Sequence, residues 1–169
     1  MTLFNCVKHT WSRIFDFLDI PHLVKEHSRP DNKKLLSRND TGTPRKHYWH
    51  YQYAVGMMSY MQGLNCPDIS MSVHQCARFL NNPRLIHERS VKTIDNYFSE
   101  TATRGTIYDT DKTQGIECYD DANFSGGRDR DNGQRAENDL SWSSFAIFYS
   151  GSPILWASKL QMEIYLITA

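Results

Sequence analysis

No apolar run in the sequence approaches the roughly 18 residues that a membrane-spanning helix requires. The first eleven residues lack the basic-then-apolar layout of a secretory leader. No C-x-x-C occurs among the four cysteines, Cys6, Cys66, Cys76 and Cys118, and their spacings fit no disulfide framework. These absences predict a reduced, intracellular chain without a membrane partner, cytoplasm and nucleus both being compatible. Net charge is lacking too, since 19 Lys+Arg offset 19 Asp+Glu. What remains is enough for a core: the chain has 169 residues, 40% hydrophobic and 12% aromatic, which argues against wholesale disorder.

The zero is a cancellation. Residues 1–104 hold 14 Lys+Arg against 9 Asp+Glu, a net of +5, and residues 105–169 hold 5 against 10, a net of −5. All seven histidines lie between His9 and His87. Such asymmetry points to polyanion handling in one part and carboxylate chemistry in the other. Cys66, His74, Cys76 and His87 fit no common zinc spacing, and Cys76 reads better as a small core residue of a helix.

Hydrophobic periodicity divides the chain at the same place. Trp11, Ile14, Phe15 and Leu18 predict a short helix over residues 8–18, ended by Pro21. Residues 21–47, with Pro30, Gly42, Pro44 and many charges, read as a loop. A helix is expected around 49–62 with Tyr53, Met57, Tyr60 and Met61 on one face, and Gly56 within it costs about 1 kcal/mol unless close packing needs it. Cys66-Pro67-Asp68-Ile69 is a helix start, with proline in the first turn and Asp68 at the positive end of the dipole. Ile69, Val73, Cys76, Ala77 and Leu80 form its buried stripe. Asn81-Asn82-Pro83 breaks the chain, and a further helix to about Glu100 turns Val91, Ile94, Tyr97 and Phe98 inward.

After Gly105 the period shortens to two. Strands are predicted at Gly105–Asp109, Ile116–Phe124, Phe145–Ser150 and Ile154–Gln161, with a tight connection at Tyr149–Pro153 and a long polar segment from Ser125 to Ser141. From Met162 a further element begins. On a regular strand Ile116, Cys118, Asp120, Ala122 and Phe124 face one way, and Glu117, Tyr119, Asp121 and Asn123 the other. Adjacent Asp120 and Asp121 therefore cannot converge on one metal, and Asp121, on the polar face, is the credible ligand.

Several segments together resemble the C-terminal region of the Pol polyprotein of copia-type retrotransposons, from the end of the reverse transcriptase into its RNase H domain. Residues 49–61 are similar to "Y-R-x-x-I-G-x-L-x-Y-L", residues 66–70 to "R-P-D-I-x", and His87–Tyr97 to "H-x-x-A-V-K-R-I-x-R-Y". Glu117–Gly126 resembles "x-C-Y-V-D-A-D-F-A-G", and Phe145–Gln161 resembles "G-Y-V-I-x-Y-x-G-x-P-I-x-W-x-S-K-x-Q". The resemblance implies an α+β chain: a helical thumb and connection segment of a reverse transcriptase over 1–104, then the first strands of an RNase H-like antiparallel meander over 105–169.

It also implies that the intact family copies DNA from RNA and cleaves the RNA of RNA/DNA hybrids. Asp121 falls at the first catalytic aspartate, a ligand of the family's Mg²⁺ pair. Lys92 matches the lysine of the His87–Tyr97 motif and is an expected nucleic-acid contact, whereas Thr93 and Asn96 stand where the family has arginines. Asp120 replaces an apolar residue, and Asn123 an acidic one. The family's polymerase aspartates and its "T-E-A-E-Y" glutamate find no counterpart here, so the expectation is a segment of Pol, inactive alone and binding no Mg²⁺ tightly, from a decayed copy of the element.

The alternative is a non-catalytic module for nucleic acid or interaction. It rests on Arg29, Lys33, Lys34, Arg38, Arg45 and Lys46 in one loop, with Tyr48, Trp49 and Tyr51 close behind for base stacking. Against it, Trp49 next to a helix is more readily a core residue.

Overall fold

The computed structural model describes residues 2–4, 36, 42–46, 49–64, 66–101, 106–108, 115–123 and 140–162. The predicted helix over 8–18, Arg29, Lys33, Lys34 and Arg38, nearly all of the polar segment 125–141 and the element after Met162 lie outside them. Within them the content is mixed α+β: three α-helices, a two-stranded ribbon and a three-stranded antiparallel sheet. The chain divides into two units, Met1–Asp109 and Thr110–Ala169.

The first unit is built on α1 (Tyr51–Leu64), a 3₁₀ turn (Pro67–Ile69), α2 (Ser70–Ala77) and α3 (Leu85–Glu100). Each helix packs on the other two. The turn before α2 carries Pro67 at its start and Asp68 in its first turn, as the sequence predicts. Ile69, Val73 and Cys76 are fully buried, with Ala77 and Leu80 packed against the same cluster. From α3 come Val91, Ile94, Tyr97 and Phe98, all buried.

The inward face of α1 differs from the predicted one. Tyr51, Ala54, Val55, Met58 and Met61 turn inward, and Tyr53 and Tyr60 are exposed. The observed stripe follows i, i+3, i+4, i+7 with small residues at its centre, which lets the neighbouring helices approach closely. A tyrosine, apolar in body and polar at its tip, tolerates the solvent side. Nor does packing demand Gly56, because a Cβ there would meet nothing within 4 Å.

The strand expected at Gly105–Asp109 is β2 (Thr106–Tyr108). It pairs antiparallel with β1 (Thr2–Phe4), Leu3 opposite Ile107, instead of leading into the sheet that follows. A partner about a hundred residues away leaves no local signal.

The second unit is a meander of β3 (Ile116–Asn123), β4 (Trp142–Tyr149) and β5 (Ser152–Leu160) in that order. The strand predicted at Phe145 begins three residues earlier, since Trp142, Ser143 and Ser144 pair with Asn123, Ala122 and Asp121 in turn. Ser150 (φ 50°) and Gly151 (φ 74°) link β4 to β5 with two positive-φ residues, the backbone of a type I′ hairpin turn. A register shift between Ile147 and Phe148 sets Leu155 opposite the former and Pro153 opposite the latter.

Candidate functional site

Asp121 lies near the end of β3, opposite Ser144 of β4, which pairs with Ser158 of β5. Antiparallel partners share a face, so Asp121, Ser144 and Ser158 form a polar row across the sheet. Ser144 Oγ donates to Ser158 Oγ at 3.2 Å. Along β3 on the same face stand Tyr119 and Glu117. The Tyr119 hydroxyl donates to a Glu117 carboxylate oxygen at 3.1 Å, and its ring meets Phe148 edge-on at 5.6 Å. That hydrogen bond, then the carboxylate's charge, holds the phenol above its ordinary pKa.

The chemistry open to this face is that of one exposed carboxylate beside two hydroxyls. Glu117 is four residues from Asp121, about 13 Å along an extended strand, and Asp120 points to the opposite face. Among the described residues no group of three or more His, Cys, Asp or Glu could hold a metal ion. A pair of Mg²⁺ ions needs several oxygen ligands in near-octahedral array, and these residues alone do not fit it. Cys66, His74, Cys76 and His87, all among those residues, form no such group. Cys76 is instead a core residue whose thiol burial pushes up to about 12, offset in part by its contact with Tyr51. Tyr51, whose hydroxyl donates to the Cys76 carbonyl at 3.0 Å, is likewise pushed up, mainly by burial.

The basic candidates behave differently from one another. Lys46 is exposed. Lys92, in contrast, is buried, its Nζ 2.8 Å from the Glu88 carboxylate one turn earlier. Glu88 is itself 1% exposed, and its second oxygen lies 3.6 Å from Arg45 Nε. One buried carboxylate thus holds both Lys92 and Arg45. The Arg45 guanidinium also stacks over Trp49 (4.6 Å) and Tyr51 (5.4 Å) and donates from Nη2 to the Trp49 carbonyl at 2.6 Å. Trp49 and Tyr51 are 7% and 2% exposed, so their rings are core and offer no face to a base.

Two features escape sequence reasoning. Glu88 and Lys92 at i, i+4 signal an ion pair, but only the packing shows it buried and shared with Arg45. The second is a groove of about 390 Å³ lined by Arg45, Trp49, His50, Tyr51, Gln52, Tyr53, Leu80, Asn81 and Pro83. Gln52 Nε2 donates to the Leu80 carbonyl at 3.2 Å across it, and Leu85 N–H donates to Thr43 O at 3.0 Å, fixing the basic segment to the start of α3.

Neither a known family profile nor a solved structure matches the chain. Two curated proteins do. Over 120 residues, 70% of the chain, it is 34% identical to the retrovirus-related Pol polyprotein from transposon TNT 1-94 of Nicotiana tabacum. Over 111 residues, 64% of the chain, it is 29% identical to a transposon Ty5-1 protein of Saccharomyces cerevisiae. The matched stretch spans 8% of the former and 33% of the latter. Among the described residues no helix is long and apolar enough to cross a membrane. In the order and chemistry of its motifs, and in its identity to these two proteins, the chain is a relative of retrotransposon Pol polyproteins.

Proposed function

We propose that the chain is a seam of a retrotransposon Pol polyprotein. Residues 1–104 correspond to the thumb and connection of a reverse transcriptase, and residues 105–169 to the opening strands of an RNase H-like domain. Alone, it does not cleave RNA. The observation that carries this reading is the placement of the "x-C-Y-V-D"-like segment on β3 of a three-stranded antiparallel meander, with Asp121 on its polar, exposed face.

In the complete polyprotein Asp121 would supply one carboxylate to a Mg²⁺ centre that binds the RNA strand of a hybrid. The serine row beside it keeps that face polar, with Asp121 opposite Ser144 and Ser144 opposite Ser158. With one carboxylate in reach, water activation and leaving-group stabilisation lack the charge they require. The full chain, incubated with a labelled RNA/DNA hybrid and Mg²⁺, should match the Asp121→Asn variant, both at background. Mg²⁺-dependent cleavage lost in Asp121→Asn would overturn the inactivity.

A second reading, a non-catalytic nucleic-acid module, draws on exposed Lys46 in the cation-rich segment 29–46. Its mark is hybrid affinity that falls steeply with salt, and salt-independent affinity would sink it.

A further inference from the structure

We propose that the groove at the N-terminus of α1 is a binding site for a phosphate group. It is independent of Asp121 and of the nuclease reading. Its floor is a helix start: the first intrahelical bond runs from Ala54 N–H to His50 O at 3.0 Å, so the amides of Tyr51, Gln52 and Tyr53 precede the ladder. The positive end of a 14-residue helix and these donors together attract an anion. No acidic residue occupies the first turn of α1, so the dipole is not answered from within the helix.

The walls supply an independent observation. Trp49 is 7% exposed and lines the groove, yet its indole Nε1–H has no hydrogen-bond partner. Arg45 Nε–H, which lies 3.6 Å from Glu88, makes no hydrogen bond either. A buried donor left without an acceptor carries a desolvation cost that a bound oxyanion would remove. The charge has the matching sign. Glu88 is one carboxylate between two cations, Arg45 and Lys92, which leaves one positive charge over, and exposed Lys46 follows Arg45 directly. His50 also lines the groove, and among the described residues no Asp or Glu does. Planar donors on Arg45 and the indole, with backbone amides below, suit the several acceptor oxygens of a phosphate better than a single-atom anion.

The ¹⁵N-labelled full chain, titrated with inorganic phosphate, tests this. The Trp49 indole N–H and the amides of Tyr51, Gln52 and Tyr53 should shift together and saturate. Tyr53→Glu sets a carboxylate at the mouth of the groove, where a helix N-terminus accepts an acid without loss of fold. It should weaken phosphate binding about tenfold with an unchanged circular dichroism spectrum. Shifts that never saturate, that spread evenly over exposed lysines, or that persist at wild-type affinity in folded Tyr53→Glu would overturn the site. Single-stranded RNA separates the sources. If it displaces phosphate and moves the same resonances, the ligand is the nucleic-acid backbone. If phosphate binds and RNA leaves these resonances in place, the site stands for a free phosphate group.

Discussion

The helical and sheet units solve the burial problem differently. Sixteen hydrophobic residues are buried among those described, and only Trp142 belongs to the sheet unit; seven of the ten exposed large hydrophobics do, from Ile116 to Met162. Three mutually packed helices close a core from three sides, whereas three strands have two faces and no second layer among the described residues. A single sheet needs another layer to bury its apolar side. The stability of the described fold is therefore concentrated in α1–α3, while β3–β5 hold together by ladder hydrogen bonds and cross-strand pairs.

Equal side-chain deletions in the two units test this most severely. Phe98→Ala, at a fully buried site on α3, should cost about 3–5 kcal/mol in urea unfolding followed by helical circular dichroism. Phe145→Ala, at a site 38% exposed on β4, should cost no more than about 1 kcal/mol. Comparable losses would erase the contrast. Glu88→Gln comes next, at about 3 kcal/mol, since it leaves Lys92 and Arg45 without their shared carboxylate. A neutral result would mean that the triad is more solvated than its burial indicates.

Thiol chemistry sharpens the same division. Cys118 on β3 is exposed and Cys76 is buried, so iodoacetamide should modify Cys118 in the native protein and Cys76 only on unfolding. The folded-state pKa of Cys76, about 12, exceeds its ordinary value of 9.0. The folded form therefore holds a proton that the unfolded form gives up, and this share of stability is complete below about pH 9 and is lost as pH rises toward 12. Alkaline titration of the helical signal should show it. The smallest effect is a gain: Gly56→Ala, in open space on the outer side of α1, should stabilise the helical unit by up to about 1 kcal/mol.

What was legible in the sequence follows the range of the interaction. The stripes of α2 and α3 come from 3.6-residue periodicity alone, and Ile69, Val73, Cys76, Val91, Ile94, Tyr97 and Phe98 all lie inward. On α1 the expected stripe, with the aromatic mass of Tyr53 and Tyr60, gives way to one that lets helices approach, with Ala54 and Val55 at its centre. The β1–β2 pairing and the sharing of Glu88 by Arg45 and Lys92 are long-range, and a linear pattern carries neither. Tyr97 gives an intermediate case: periodicity places its ring in the core, but not the 2.6 Å bond its hydroxyl donates to Asp68. Asp121 was readable as the polar-face carboxylate because strand alternation is local, and the groove at the start of α1 was not, because its walls come from segments about thirty residues apart.

The sheet order β3-β4-β5 carries one more consequence. Among the described residues nothing pairs with the outer side of β3, whose backbone is a template for any extended chain that meets it. That strand carries Glu117, Asp120 and Asp121, with carboxylates on both faces. Two copies meeting along this border would bring six like charges together, three on each strand within about 13 Å of its length. Such repulsion opposes one molecule zipping onto the next, and raising the salt concentration, which screens it, should promote association along that border.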